Sequence, residues 1–203
     1  MVLASDISKQ NKASNSIITV VSGLPRSGTS MMMRMLEAGG MPVISDQIRK
    51  ADSDNPRGYY EYEKVKQIKK DDLWIDECHG KAFKMVSELL YDLPLRWNYK
   101  ILFMRRKIKE VLASQKVMLK RLGENDEGLS DAIMAGFFEK HLLKLDKWLG
   151  QEKNKDVLYI NYNEVIDKPN KVAKMINGFL GNFLDEEKMA DVVESGLYRQ
   201  RKE

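Results

Sequence analysis

Hydrophobic and polar positions along this chain repeat in order: a short apolar run, a break marked by glycine or proline, then a longer stretch with apolar residues near helical spacing. The first run, Ile17 to Val21, has the β-branched composition of a buried strand and stops at Ser22-Gly23. A Met- and Leu-rich segment reaching Leu36 predicts a helix, and Gly39-Gly40 ends it. Pro42-Val43-Ile44 reads as a second strand or an extended connection. The polar, proline-interrupted stretch Asp46 to Gly58 predicts a loop, with a helix over Tyr62 to Lys70 behind it. Ala82 to Val86 reads as a short strand, Ser87 to Leu90 as a brief helix, and Tyr99 to Met104 as a second clear buried strand. Helices are predicted from about Ile108 to Leu122 and from about Leu129 to Leu149. Asp156 to Tyr162 is the last strand, followed by an amphipathic helix through Leu180 and Gly181. Strands alternating with helices predict an α/β fold: a mostly parallel β-sheet with helices on both faces.

Length and composition narrow the class. A chain of 203 residues suits one α/β domain, here residues 15–203, with Met1 to Ser14 as a loose leader. Charged residues make up 32% and the hydrophobic set 43%, the balance of a folded, soluble protein. A net charge of +4 suits an anionic ligand and is too small and scattered for a nucleic-acid surface. Cys78 is the one cysteine, which excludes an internal disulfide and a cysteine-built metal site and makes the cytoplasm the natural compartment. No apolar run approaches the roughly 18 residues that would span a bilayer.

The chemistry concentrates between the first strand and the first helix. Gly23-Leu24-Pro25-Arg26-Ser27-Gly28-Thr29-Ser30 is a glycine-bounded turn entering a helix N-terminus, the arrangement in which free backbone N–H groups and the positive dipole end meet an anion. Its spacing is that of the P-loop frame G-x-x-x-x-G-K-[ST], with Thr29 where that frame has lysine. The cation stands inside the loop instead, at Arg26, whose planar guanidinium can fork two anionic oxygens. Such a loop suits a phosphosulfate without an obligatory metal.

Pro25-Arg26-Ser27-Gly28-Thr29-Ser30 resembles the 5′-phosphosulfate loop of sulfotransferases that use 3′-phosphoadenosine 5′-phosphosulfate (PAPS), in the arginine-containing bacterial type. Asn55-Pro56-Arg57-Gly58-Tyr59-Tyr60-Glu61 is similar to the N-P-x-G-Y/F-x-E segment of bacterial members. Arg106 to Ser114, an arginine after a strand with a serine eight residues on, resembles the family's 3′-phosphate-binding segment. Tyr162 to Pro169 with Ile176 to Gly181 resembles its structural Y-E-D-L…P…FLG stretch, and Leu197-Tyr198-Arg199 its end. Asn163 in place of an acidic residue, Ile108 in place of proline, and a short chain are the departures.

The resemblance implies sulfuryl transfer from PAPS, leaving adenosine 3′,5′-bisphosphate (PAP), to a hydroxyl or amine of a small-molecule or glycan acceptor. It implies that the loop residues, Arg106 and Ser114 hold the donor, with Arg199 and Arg201 of the basic tail as further candidates. Lys84, at a strand end, is a candidate second cation. For the base that takes the acceptor's proton, Glu61 and then the loop-borne His79 are the candidates; His141 falls within a helical apolar pattern. A P-loop kinase of a nucleotide or small metabolite, and a non-catalytic nucleotide-binding relative, are the alternatives. The oligomeric state is left open.

Overall fold

The structure is a computed structural model, and it describes residues 17–46, 48, 52, 58–121, 123 and 129–194. The leader, Asn55 to Arg57, and the tail with Arg199 and Arg201 lie outside the described residues.

Four strands form one sheet: β1 (Ile17–Gly23), β2 (Ala82–Lys84), β3 (Asn98–Arg105) and β4 (Lys155–Asn161). Their spatial order is β2-β1-β3-β4, and every pairing is parallel. The register runs from Ile17 opposite Asn98 to Gly23 opposite Met104, and from Tyr99 opposite Lys155 to Arg105 opposite Asn161. All four strands therefore end along one edge.

Side chains alternate between the sheet's two faces, and each face has its own core. Ile18 and Val20 of β1 and Ile101 and Phe103 of β3 face a cluster completed by Val111, Leu142, Leu145 and Leu149. The last four belong to α2 (Ile108–Arg121) and α3 (Asp131–Leu149). Val21, Leu102 and Met104 face the other side, against Met32, Met33, Met35 and Leu36 of α1 (Thr29–Ala38). That cluster also takes in α4 (Tyr162–Asp167), α5 (Pro169–Leu180) and α6 (Glu186–Asp191). Both faces of the sheet are thus sealed, as the continuous apolar runs of β1 and β3 require. No helix among the described residues is long and apolar enough to cross a membrane.

The connections differ from the sequence expectation in their details. The helix expected over residues 62–70 is a 3₁₀ run, Glu63–Gln67. Val65 and Ile68, three apart and both buried, line up on one edge of a three-residue turn. Two more 3₁₀ runs, Leu73–Cys78 and Ser87–Asp92, flank β2. Pro42 to Ile44 makes a single parallel bridge, Val43 to Ala82. β4 begins at Lys155, and Tyr162 opens α4 instead of closing the strand.

Candidate active site

The strand ends carry the site, as expected for an open parallel sheet. β1 runs out at Gly23, β2 at Lys84, β3 leads to Arg106 and β4 to Tyr162. All four of these residues line one cavity of about 460 Å³.

The loop from Gly23 to Gly28 is held in an unusual backbone path. Gly28 lies at φ +100, and a side chain there would place its Cβ 2.4 Å from the Tyr162 ring. At Gly23 a Cβ would fall 2.5 Å from Ser27 Oγ and 2.7 Å from the Met104 carbonyl oxygen. Only glycine leaves room for the backbone at either point. Arg26 itself adopts φ 70, a left-handed conformation that costs a non-glycine residue and is held here by its contacts. α1 then starts with neither a side-chain cap nor an acidic residue in its first turn, which leaves its positive end uncompensated.

Arg26, Arg106 and Ser114 converge. Arg26 Nε donates to Ser114 Oγ at 3.0 Å, and Arg106 Nη1 donates to the Arg26 carbonyl at 3.0 Å. Arg106 is itself anchored twice: Nε donates to Glu110 Oε2 at 3.0 Å, and its guanidinium stacks 4.4 Å from the centre of the Tyr162 ring. Glu110 is fully buried, so the ion pair forms away from water and fixes the arginine's direction. Burial pushes the Tyr162 hydroxyl up from its ordinary pKa, keeping it neutral beside three arginines, Arg106, Arg26 and Arg34, that pull the other way.

On the loop's other side, Lys84 Nζ donates to the Tyr59 carbonyl and to Ser30 Oγ, the latter at 3.4 Å. Ser30 Oγ donates in turn to the Tyr59 carbonyl at 3.0 Å. Glu61 Oε1 lies 4.0 Å from Lys84 Nζ. Pro25, Thr29 and Ser30 also line the cavity, and Ser27 lies buried in the loop floor. The carboxylates lining the cavity, among the described residues, are Glu61 and Glu194.

The loop fits an anion of the expected kind. Ser27 Oγ is buried and finds no hydrogen-bond partner among the described residues, although a buried hydroxyl ordinarily has one. Phosphate oxygens against the loop would meet the N–H groups at the open end of α1, with Arg26 and Lys84 on the cavity lining to balance their charge.

His79 does not join the site, and this corrects the sequence expectation. Gly80, next to it, donates its backbone N–H to the Ile17 carbonyl at 3.0 Å, which places His79 at the starting edge of β1. A seven-residue strand, about 23 Å of extended chain, separates that edge from Gly23. Its ring packs edge-on against Trp97 at 4.2 Å. His141 lies 2.9 Å from Ser87 Oγ and likewise does not line the cavity. Two participants escape the sequence reading: Glu110, which holds Arg106, and Tyr162, which supports both Arg106 and the loop.

The chain belongs to the sulfotransferase domain family, whose model matches residues 17–203. Solved structures share the fold. The sulfotransferase domain from the curacin biosynthetic pathway is 17% identical over 87% of this chain and 77% of that one, with a TM-score of 0.51. The sulfotransferase domain of the Synechococcus PCC 7002 olefin synthase is 15% identical over 92% and 88%, at 0.52. Mouse sulfotransferase SULT7A1 complexed with PAP is 19% identical over 88% of this chain and 63% of that one, at 0.51. No curated protein matches the sequence significantly.

Proposed function

We propose that the protein transfers a sulfuryl group from PAPS to a hydroxyl or amine of a small-molecule or glycan acceptor. The observation that carries this reading is the convergence of Arg26, Arg106 and Ser114 on a P-loop-like turn in which Thr29 replaces the nucleotide-hydrolase lysine. A triphosphate-and-magnesium reaction relies on that lysine. The solved relative bound to PAP supports the same ligand class.

When bound, PAPS supplies an activated sulfuryl group, whose S–O bond to the 5′-phosphate breaks as the acceptor's oxygen or nitrogen bonds to sulfur. The chain's own residues do the rest. The loop N–H groups, Arg26 and Lys84 hold the 5′ end and meet the negative charge that grows on the leaving phosphate oxygen. Arg106 and Ser114 take the 3′-phosphate. Glu61, beside Lys84, accepts the proton released by the acceptor. The tail is assigned to the donor as well. Arg199 and Arg201 stand in its basic cluster with Lys202.

Calorimetry decides between this reading and a kinase. PAP should bind without Mg²⁺ and far more tightly than ATP; tighter, Mg²⁺-dependent ATP binding would overturn the proposal. With an acceptor in hand, Glu61→Gln keeps shape and a hydrogen-bonding oxygen but loses basicity, so turnover should fall by roughly 10²–10⁴-fold with PAP affinity retained. Near-normal turnover would remove Glu61 from the role.

A further inference from the structure

The same cavity continues past the donor corner along one face of α2, and its chemistry changes in order. From it we infer that the acceptor is an elongated apolar alcohol or phenol carrying an anionic group at the end away from its reacting hydroxyl. This rests on the sulfotransferase reading above and narrows its acceptor.

Ser114, Val117, Met118 and Arg121 line the cavity at spacings of three and four residues, so they stand on one side of α2 in successive turns. Ser114 marks the donor end through its bond to Arg26. Val117 and Met118 come next, and Arg121, exposed to solvent, marks the outer end. Seven residues of helix span about 10 Å. The other lining side chains away from the loop include Val65, Met85, Val86 and Leu89, again apolar. Lys66 is a second exposed cation on the lining, where it also pairs with Glu63 at 2.6 Å.

A ligand lying along this wall meets reacting groups, then a methionine- and valine-lined stretch, then a guanidinium. A sugar would set its hydroxyls against Val117, Met118 and Leu89, which offer no hydrogen bonds in exchange for those lost to water. An alkyl or aryl body loses nothing there, and Met85 and Met118, unbranched and adaptable, accept either shape. The guanidinium then selects among apolar alcohols for those ending in carboxylate, sulfate or phosphate, groups that match its planar fork. Between the glycan and the small molecule, the cavity favours the small amphiphilic anion.

The test uses para-hydroxyphenylbutanoate, whose phenol and carboxylate are about as far apart as Ser114 and Arg121 along α2, and its uncharged primary amide. Both are titrated calorimetrically into protein saturated with PAP, so no turnover is needed. The acid should bind about tenfold more tightly than the amide, a single favourable ionic contact. Arg121→Gln, alone or combined with Lys66→Gln, should bring the acid down to the amide. Equal affinities in the unaltered protein, or a preference that survives the double substitution, would overturn the inference while leaving the donor reading in place. Failure of PAP itself to bind, measured first, would instead overturn the sulfotransferase reading and this inference with it.

Discussion

Arg26 Nε and Ser114 Oγ meet at 3.0 Å although 88 residues separate them in the chain. The bond joins the loop after β1 to the second turn of α2, so the segment expected to hold the phosphosulfate and the segment expected to hold the 3′-phosphate form one corner. The two are not independent grips.

Coupling between them is therefore expected in binding. Arg26→Ala and Ser114→Ala should each weaken PAP binding, and the double variant should lose less than the sum by about 1 kcal/mol, as for residues in direct contact. A double-mutant cycle by calorimetry measures this, and strict additivity would show that the contact carries no energy.

Removing Arg106 should act at both ends of the donor. Because Arg106 Nη1 also holds the Arg26 carbonyl, Arg106→Ala should cost PAP about 1.5–3 kcal/mol for a charge-assisted contact and should measurably weaken adenosine 5′-phosphosulfate, which lacks the 3′-phosphate. An adenosine 5′-phosphosulfate affinity that stays unchanged would confine Arg106 to the 3′ end.

Glu110→Ala leaves the Arg106 guanidinium buried without its carboxylate. The stability loss in urea should be about 3–5 kcal/mol, the cost of breaking a buried pair from one side. Arg106→Met with Glu110→Leu should recover much of that stability and none of the PAP affinity, separating fold from function.

Gly28→Ala should be among the most damaging small substitutions in the chain. It forces a side chain into a positive-φ position and against the Tyr162 ring. Thermal melting should fall and PAP binding weaken together, whereas Gly136→Ala, in open space within α3, should leave binding unchanged and stabilise the helix slightly.

The alkaline limit of stability has an identifiable contributor. Tyr60 donates to Glu37 at 2.5 Å, and burial first, then that carboxylate, push its pKa up from 10.0 to about 12. A raised folded value means the contribution is complete below the unfolded value and is lost as pH climbs through the folded one. Urea midpoints should therefore decline from about pH 10 upward, and Tyr60→Phe should decline less steeply over that window.

The glycine loop and the strands around it are legible in the sequence because their determinants are local. A β-branched run, a glycine frame and a helix start all fall within twenty residues, Ile17 to Leu36. What escapes depends on the third dimension. Two apolar positions, Val65 and Ile68, cannot distinguish a turn of three residues from one of 3.6, hence a 3₁₀ run where a helix is expected. His79 precedes β2, and in a parallel sheet whatever precedes a strand lies at the edge opposite the ligand. Order along the chain thus held the answer once β2 was placed parallel to β1. Glu110 reads as an ordinary first-turn carboxylate of α2. Arg106 folds over it and in turn stacks on Tyr162, which the adjoining strand β4 delivers. An aromatic residue closing the last predicted strand was the available signal for Tyr162.

The position of β1 between β2 and β3 also governs when the protein can become itself. As the chain leaves the ribosome, the glycine loop and its strand emerge well before both neighbours of β1, which begin at Ala82 and Asn98. Until then the strand has no partner, and the methionine face of α1 has no sheet to cover. Closing such long loops is slow, and a half-made chain displays a sticky strand edge while it waits. Fragments ending before Arg105 would therefore be expected to aggregate, and the binding corner, joined by Arg26 and Arg106, would be among the later features to appear.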